Sequence, residues 1–432
     1  MKVAFLTLGC KVNFYETEAV WELMQKHGYE RVDFKARSDV YIINTCTVTN
    51  NSDGKSRKMI REAISRNPEG IVVIMGCFSQ LKAGQVLAIP GVKIVLGTKN
   101  RNLIPEYIAE YLKKKTILNK VELLESNLAF DDLSINAFAK HQRAFLKIQD
   151  GCNNFCSYCI IPYARGRVRS KQPKQVIKEA KTLVDNNFKE IILTGIHTGG
   201  YGVDLPNYRF VNLLQDLETI KGLERIRISS IETSELTEDV ISVIAHSQKI
   251  VNHLHIPLQS GSDTILKAMN RKYDKQEYTR IISKLRAMIP NLAITTDVIV
   301  GFPGETESDF AEMVAFIREI NFQELHVFPY SRREGTVAAA MPNQISGAIK
   351  KERVNILLKL SDELAKAYIN TNINISLQVI PETYHDGYLH GHTANYIFVK
   401  FLGRSDQIGE LVDIVITEES YPLSLAKVIT GR

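Results

Sequence analysis

Six cysteines in two groups of three are the residues of this 432-residue chain whose type and spacing can do redox chemistry. Cys152, Cys156 and Cys159 lie in GCNNFCSYC, a C-x-x-x-C-x-x-C run. Three thiolates that close together hold three corners of an iron-sulfur cube and leave the fourth iron without a protein ligand. A cluster that only carries electrons is normally closed by four cysteines, so the open iron points to a bound small molecule, with S-adenosylmethionine as the candidate. A structural zinc site would need a fourth Cys or His nearby, and the nearest histidine, His141, is eleven residues upstream beyond a predicted strand. Disulfides fit no better. A chain of this length with 44% hydrophobic content builds large cores without covalent staples, and its opening MKVAFLTLG reads as a strand and not a secretory leader. Reduced thiols and a cytoplasmic setting are expected.

The other group is dispersed but ordered: Cys10, Cys46 and Cys77 are 36 and 31 residues apart, and each ends a short apolar run, VAFLTLGC, VYIINTC and IVVIMGC. Such runs alternate with helical stretches (Glu16 to His27, Ser56 to Ser65), which predicts a parallel sheet with crossover helices over residues 1 to about 112. Ligands of such sheets collect at the carboxyl ends of the strands near the topological switch point, so three strand-end cysteines predict a second three-thiolate cluster. A lone Cys is commonly just core, but here the same placement occurs three times.

Residues 113–142 read as a connecting segment with little periodicity. From 143 to about 370, strands are predicted at AFLKIQDG, EIILTG, RIRISS, HLHIPLQ, AITTDVIVG and ELHVFPY, with helices between them and a closing helix from about Ile349 to Thr371. Six β/α units make a partial β/α barrel whose active site lies at the C-terminal ends of the strands, and the Cys152 group follows the first of them. The turn Gly301, Pro303, Gly304 and Glu305 in VGFPGE falls at another strand end, where small residues let backbone approach a ligand closely; Gln259 and Ser260, and Ser229 with Glu232, fall at others. Residues 371–432 carry short β-type runs between Gly, Asp and Pro turns, which predicts a small antiparallel barrel. The fold class expected is therefore α/β with a terminal β-barrel.

A net charge of +6 is too modest to indicate nucleic acid by itself. The acid-free run ARGRVRSKQPK is more informative, because Arg165, Arg167, Arg169, Lys171 and Lys174 beside a redox cluster read as phosphate contacts. The terminal barrel has four basic against seven acidic residues, so any RNA contact there would come from Asn395, Tyr396, Phe398, His390 and His392. No apolar run approaches the roughly 20 residues that span a membrane.

The blocks GCNNFCSYCIIPYARGRVRS, LGCKVNFYETE, HIPLQSGSDTILKAMNRKY and VIVGFPGETESDF resemble the radical S-adenosylmethionine methylthiotransferases across essentially the whole chain, and the terminal segment resembles their TRAM domain. Within that family, LGCKVNFYETE and TGIHTGGYG are most similar to the branch acting on threonylcarbamoyladenosine in tRNA, where the isopentenyladenosine branch has GQNVNAY-like residues in place of Gly195 to Tyr201. A third branch modifies a ribosomal protein aspartate, so fold alone does not choose. The resemblance implies two 4Fe-4S clusters, on Cys152, Cys156 and Cys159 and on Cys10, Cys46 and Cys77, with S-adenosylmethionine at the first. It implies methylthio addition to C2 of N6-threonylcarbamoyladenosine at tRNA position 37. The partners implied are tRNA, a sulfur donor and an electron donor such as flavodoxin or ferredoxin.

Overall fold

A computed structural model describes residues 1–124, 129–131, 133–136 and 142–429. By packing, the chain divides into two compact units: Met1–Asn136 with Lys147–Gln172 and Ser331–Ala339, and Ala137–Leu146 with Pro173–Tyr330 and Ala340–Arg432. Among the described residues no helix is long and apolar enough to cross a membrane.

The first unit is built on strands β1 (Lys2–Thr7), β2 (Glu30–Val32), β3 (Val40–Thr45), β4 (Ile71–Gly76), β5 (Val92–Leu96) and β6 (Leu118–Lys120). They form one parallel sheet in the order β2-β1-β3-β4-β5-β6. Every residue of β3 and β4 is buried, because hydrophobic clusters cover both faces of the sheet; this is why those runs are continuously apolar rather than alternating. The strand order reverses between β1 and β3, where the predicted switch point falls.

The 113–142 segment is more ordered than its weak periodicity predicts. The helix Ile104–Lys114 runs past residue 112, β6 supplies the sixth strand of the sheet, and Asp131 pairs with the buried Arg101 at 2.6 Å. A three-residue edge strand leaves too short a pattern to read. Residues 125–128, 132 and 137–141 of that segment, His141 among them, lie outside the described residues.

Next come β7 (Ala144–Lys147) and the short antiparallel pair β8 (Gln149–Asp150) and β9 (Arg169–Ser170), which closes the base of the Cys152 loop. The second unit carries β10 (Glu190–Thr194), β11 (Arg225–Ile228), β12 (His253–His255), β13 (Ala293–Val300) and β14 (Glu324–Pro329). They form the runs β11-β10-β7 and β12-β13-β14, joined by a parallel bridge from Ile226 to Ile250. One face of β14 packs on the helix Gly347–Asn370, with Leu325 N–H donating to Ser361 Oγ at 2.9 Å. The chain then closes a five-stranded barrel from β15 (Ser376–His385), β16 (Tyr388–Thr393), β17 (Phe398–Leu402), β18 (Val412–Glu418) and β19 (Ser424–Val428).

Candidate functional site

Cys10, Cys46 and Cys77 each follow the last residues of β1, β3 and β4, three neighbours at the switch point of one sheet. The parallel sheet thus brings together residues that are far apart in sequence. Two glycines make the approach possible. Gly9 holds φ +103°, and a Cβ there would lie 3.0 Å from Cys46 Sγ; Gly76 holds φ +106°, and a Cβ there would lie 2.4 Å from Thr45 O. We expect Gly76→Ala to destabilise the unit by about 1–3 kcal/mol, measured by urea unfolding, because both the dihedral and the space exclude a side chain.

These three thiols are a fitting donor set for a three-thiolate cluster. Burial pushes the Cys77 thiol up to about 12, Arg165 opposes this only in part, and Cys10 and Cys46 push it further in the same direction. Bringing the buried Cys46 and Cys77 sulfurs close to the exposed Cys10 is unfavourable for free thiols and favourable once they bind metal as thiolates. The second triplet fits as well. Cys152 N–H bonds Gly166 O at 3.1 Å, Asn154 N–H reaches Cys152 Sγ at 3.4 Å, and Phe155 turns the loop at φ +48° under the Arg167 guanidinium. A backbone donor aimed at a cysteine sulfur is a usual companion of an iron-sulfur ligand.

Both triplets belong to the first unit, and a buried charge network links their supports. Arg165 is fully buried; its Nε donates to Cys77 Sγ at 3.3 Å and its Nη2 to Asn13 Oδ1 at 2.6 Å. Its Nη1 reaches Glu16 Oε1 at 2.8 Å and Asp150 Oδ1 at 3.0 Å, and that Asp150 oxygen accepts from Gly151 N–H, beside Cys152. Lys147 bonds both carboxylates at 2.7 Å. Burial alone would raise the Glu16 carboxyl, but Arg101, Arg165 and Lys147 pull it down to about 2. Asp150 is likewise held well below its ordinary value by Arg165 and Lys147 against burial. A depressed carboxylate stabilises the fold above its unfolded-state value, and that contribution is lost as pH falls through the folded-state value. Acid unfolding of this unit is therefore expected to steepen from about pH 4.5 down to about 2, and Glu16→Gln should flatten that dependence in circular dichroism.

The basic run is not five free cations. Arg165, Arg169 and Lys171 are buried: Arg169 donates to the Arg165 carbonyl at 2.7 Å, and Lys171 to the Leu133 carbonyl at 3.1 Å. Carboxylates and carbonyls of the fold satisfy them, which corrects the phosphate reading for these three; Arg167 and Lys174 are exposed. Sequence spacing could not reveal this, because the counter-charge comes from Glu16 and Asp150.

In the second unit, Gly195, Ser229, Gln259 with Ser260, and Gly301 follow β10, β11, β12 and β13, so the structure collects them at the C-terminal edge of one strand run. Gly301 holds φ +69°, and a Cβ there would lie 2.4 Å from the Lys350 side chain. Pro303 and Gly304 complete the turn, with Gly304 at φ +83°. Glu305 Oε1 accepts from Gly301 N–H at 2.8 Å and from Arg353, while its buried Oε2 has no hydrogen-bond partner among the described residues. Burial pushes its carboxyl up. That orphaned acceptor is suited to a ligand N–H or O–H. Ser229 Oγ lies 3.4 Å from Thr194 Oγ1, Gln259 sits at φ +66°, and Ser260 is buried. Glu232 is an ion-pair partner of Arg271 and caps the turn at Thr233–Glu235, so its carboxylate is already engaged.

Sequence reasoning passed over several polar residues. His197 Nε2 meets Glu235 Oε1 at 2.5 Å, tying the loop after β10 to the loop after β11. Arg227 Nε bonds Glu190 Oε1 at 2.8 Å, and its Nη1 lies 3.3 Å from His253 Nδ1; farther along the same face come Thr295, His255, Asp297 and His326. Polar residues at alternate positions of β12 and β13 were the available signal. In the terminal barrel, Asn395 is buried and bonded to Tyr368, Asn372 and Thr393, which removes it from the RNA-contact set, and Tyr396 stacks between His253 and His392.

Comparison with known proteins adds an independent line. The radical SAM superfamily matches residues 146–317, and the uncharacterized protein family UPF0004 matches residues 2–97. The threonylcarbamoyladenosine tRNA methylthiotransferase MtaB of Bacillus subtilis is 52% identical over 426 residues, covering 97% of this chain and 94% of that protein. MtaB of Aquifex aeolicus is 38% identical, with 96% of this chain and 100% of that one covered. A tRNA-2-methylthio-N(6)-dimethylallyladenosine synthase of Clostridium botulinum is 38% identical over 97% of this chain and 95% of its own. Among solved structures, the radical S-adenosylmethionine methyltransferase TsrM of Kitasatospora setae superposes with a TM-score of 0.59 at 12% identity, over 78% of this chain and 73% of that one, which is a likeness of fold.

Proposed function

The chain belongs to the radical S-adenosylmethionine tRNA methylthiotransferases, and from that premise we propose that it adds a methylthio group to C2 of N6-threonylcarbamoyladenosine at tRNA position 37. The observation that carries this reading is the 52% identity to a threonylcarbamoyladenosine enzyme over nearly the whole chain. The two triplets within one compact unit support it. Such chemistry needs two tasks in one molecule, activation of an unreactive ring carbon and delivery of sulfur.

A 4Fe-4S cluster held by Cys152, Cys156 and Cys159 would supply one electron for reductive cleavage of S-adenosylmethionine, and one held by Cys10, Cys46 and Cys77 would supply a seat for the sulfur. The remaining work falls to side chains. Arg165 orients Asn13 and Glu16 behind the first triplet and Asp150 behind the second, so both loops are fixed by one guanidinium fork. Glu305 holds the Gly301 turn and leaves Oε2 to accept from a ligand N–H or O–H. Gln259, Ser260, Ser229 and Gly195 edge the same strand ends. Arg167 and Lys174 are the exposed cations of the basic run available to tRNA phosphates. The β15–β19 barrel corresponds to the TRAM domain in this reading. A flavodoxin or ferredoxin and a sulfur donor complete the reaction.

Mass spectrometry of tRNA nucleosides from a strain lacking the gene tests the assignment. The 2-methylthio form of N6-threonylcarbamoyladenosine should vanish and its unmethylthiolated form accumulate. Loss of methylthio from the dimethylallyl nucleoside instead would assign the chain to the other branch.

A further inference from the structure

The polar face of the β10–β14 strand run carries a side-chain cluster that the chemistry above does not use. His255 of β12, Asp297 of β13 and His326 of β14 present one ligand atom each, all within 4.8 Å of one another. His255 Nε2 lies 3.3 Å and His326 Nδ1 3.4 Å from the same oxygen, Asp297 Oδ1. Those separations discriminate between two readings. A charge-assisted hydrogen bond from imidazole to carboxylate closes to about 2.7–2.9 Å. Ligands at about 2.0–2.1 Å around a tetrahedral zinc ion stand about 3.4 Å apart along an edge. The two edges that meet at Asp297 Oδ1 have the spacing of the second.

Its surroundings agree. His255 Nδ1 lies 3.0 Å from Thr295 Oγ1, the outer hydrogen bond that fixes a ligand imidazole and leaves Nε2 for the metal. His326 also lines a cavity of about 370 Å³ whose other walls include Glu324, His392, Tyr396 and Phe398. Three protein ligands leave a tetrahedral ion one open position.

We propose that His255, Asp297 and His326 bind one divalent cation of the zinc class, and that its open position takes a carboxylate oxygen from a ligand in the adjoining cavity. The second half rests on the threonylcarbamoyladenosine reading: the threonyl carboxylate is the anionic oxygen donor that a dimethylallyl nucleoside lacks. The site would then read the substituent that separates the two branches.

Zinc content is measured on iron-sulfur-reconstituted holoenzyme after equilibration with zinc, so that binding at the cysteines is common to every sample. The wild type should hold one more zinc per chain than the His255→Ala, His326→Ala double variant at equal iron. Asp297→Asn, nearly the same in shape, guards against misfolding and should weaken that zinc at least tenfold. Equal zinc in wild type and both variants overturns the site. For the open position, added zinc should tighten binding of the nucleoside N6-threonylcarbamoyladenosine at least tenfold in the wild type, but not in Asp297→Asn and not for N6-dimethylallyladenosine. No zinc enhancement in the wild type overturns the carboxylate ligand. Failure of the branch assignment itself shows elsewhere, in the cellular tRNA nucleosides.

Discussion

Arg165→Leu is expected to cost the cysteine-bearing unit about 3–5 kcal/mol before any iron is bound, because breaking a buried ion pair from one side leaves its partners charged and dry. Glu16 and Asp150 would lose the guanidinium that bonds both, and Asn13 Oδ1 would lose its donor. Urea unfolding of the apoprotein measures the loss. Arg165→Lys separates charge from geometry: one ammonium keeps the charge but lacks the planar fork that reaches Cys77, Asn13, Glu16 and Asp150 together. It should recover part of the stability while iron loading at Cys10, Cys46 and Cys77 stays low. Full stability in Arg165→Leu would mean that the network is dispensable and that Lys147 and Arg101 suffice.

A division of labour between the triplets predicts the largest functional effect. Reconstituted wild type should hold about eight irons and the variant with Cys10, Cys46 and Cys77 all changed to Ala about four. That variant should still cleave S-adenosylmethionine to 5′-deoxyadenosine when reduced, yet its methylthiolation of tRNA should fall about a thousandfold or more. The converse triple variant at Cys152, Cys156 and Cys159 should keep about four irons and lose both activities. If the first variant, folded and half-loaded, also loses cleavage, the two sites act as one electronic unit. If either variant loses all its iron while folded, the assignment of two separate clusters is wrong.

Local pattern was enough to read the elements and where they place the cysteines. Apolar runs of five or six residues placed β3 and β4, and the cysteine closing each run placed the dispersed triplet at strand ends, since a parallel sheet repeats the same geometry at every strand. C-x-x-x-C-x-x-C is itself a local motif, so its meaning needed no fold. The VGFPGE turn was legible for the same reason, as glycines at positive φ leave a mark in the sequence.

What pairs with what was decided by tertiary structure alone. Arg165 and Lys171 read as solvent-facing cations because partners that satisfy them are distant in sequence; Glu16 lies 149 residues from Arg165 and Leu133 38 from Lys171. The three residues of β6 carry too few side chains for a period, and only pairing with β5 makes them a strand. His255, Asp297 and His326 come from three strands, and each alone is an ordinary polar residue. Their meeting depends on strand register, which hydrogen bonding between chain-distant segments sets: Asp297 stands opposite His326 across β13 and β14, and His255 opposite Thr295 across β12 and β13. Sequence determines which residues can do chemistry; register and burial decide which of them face one another and which charges never reach water.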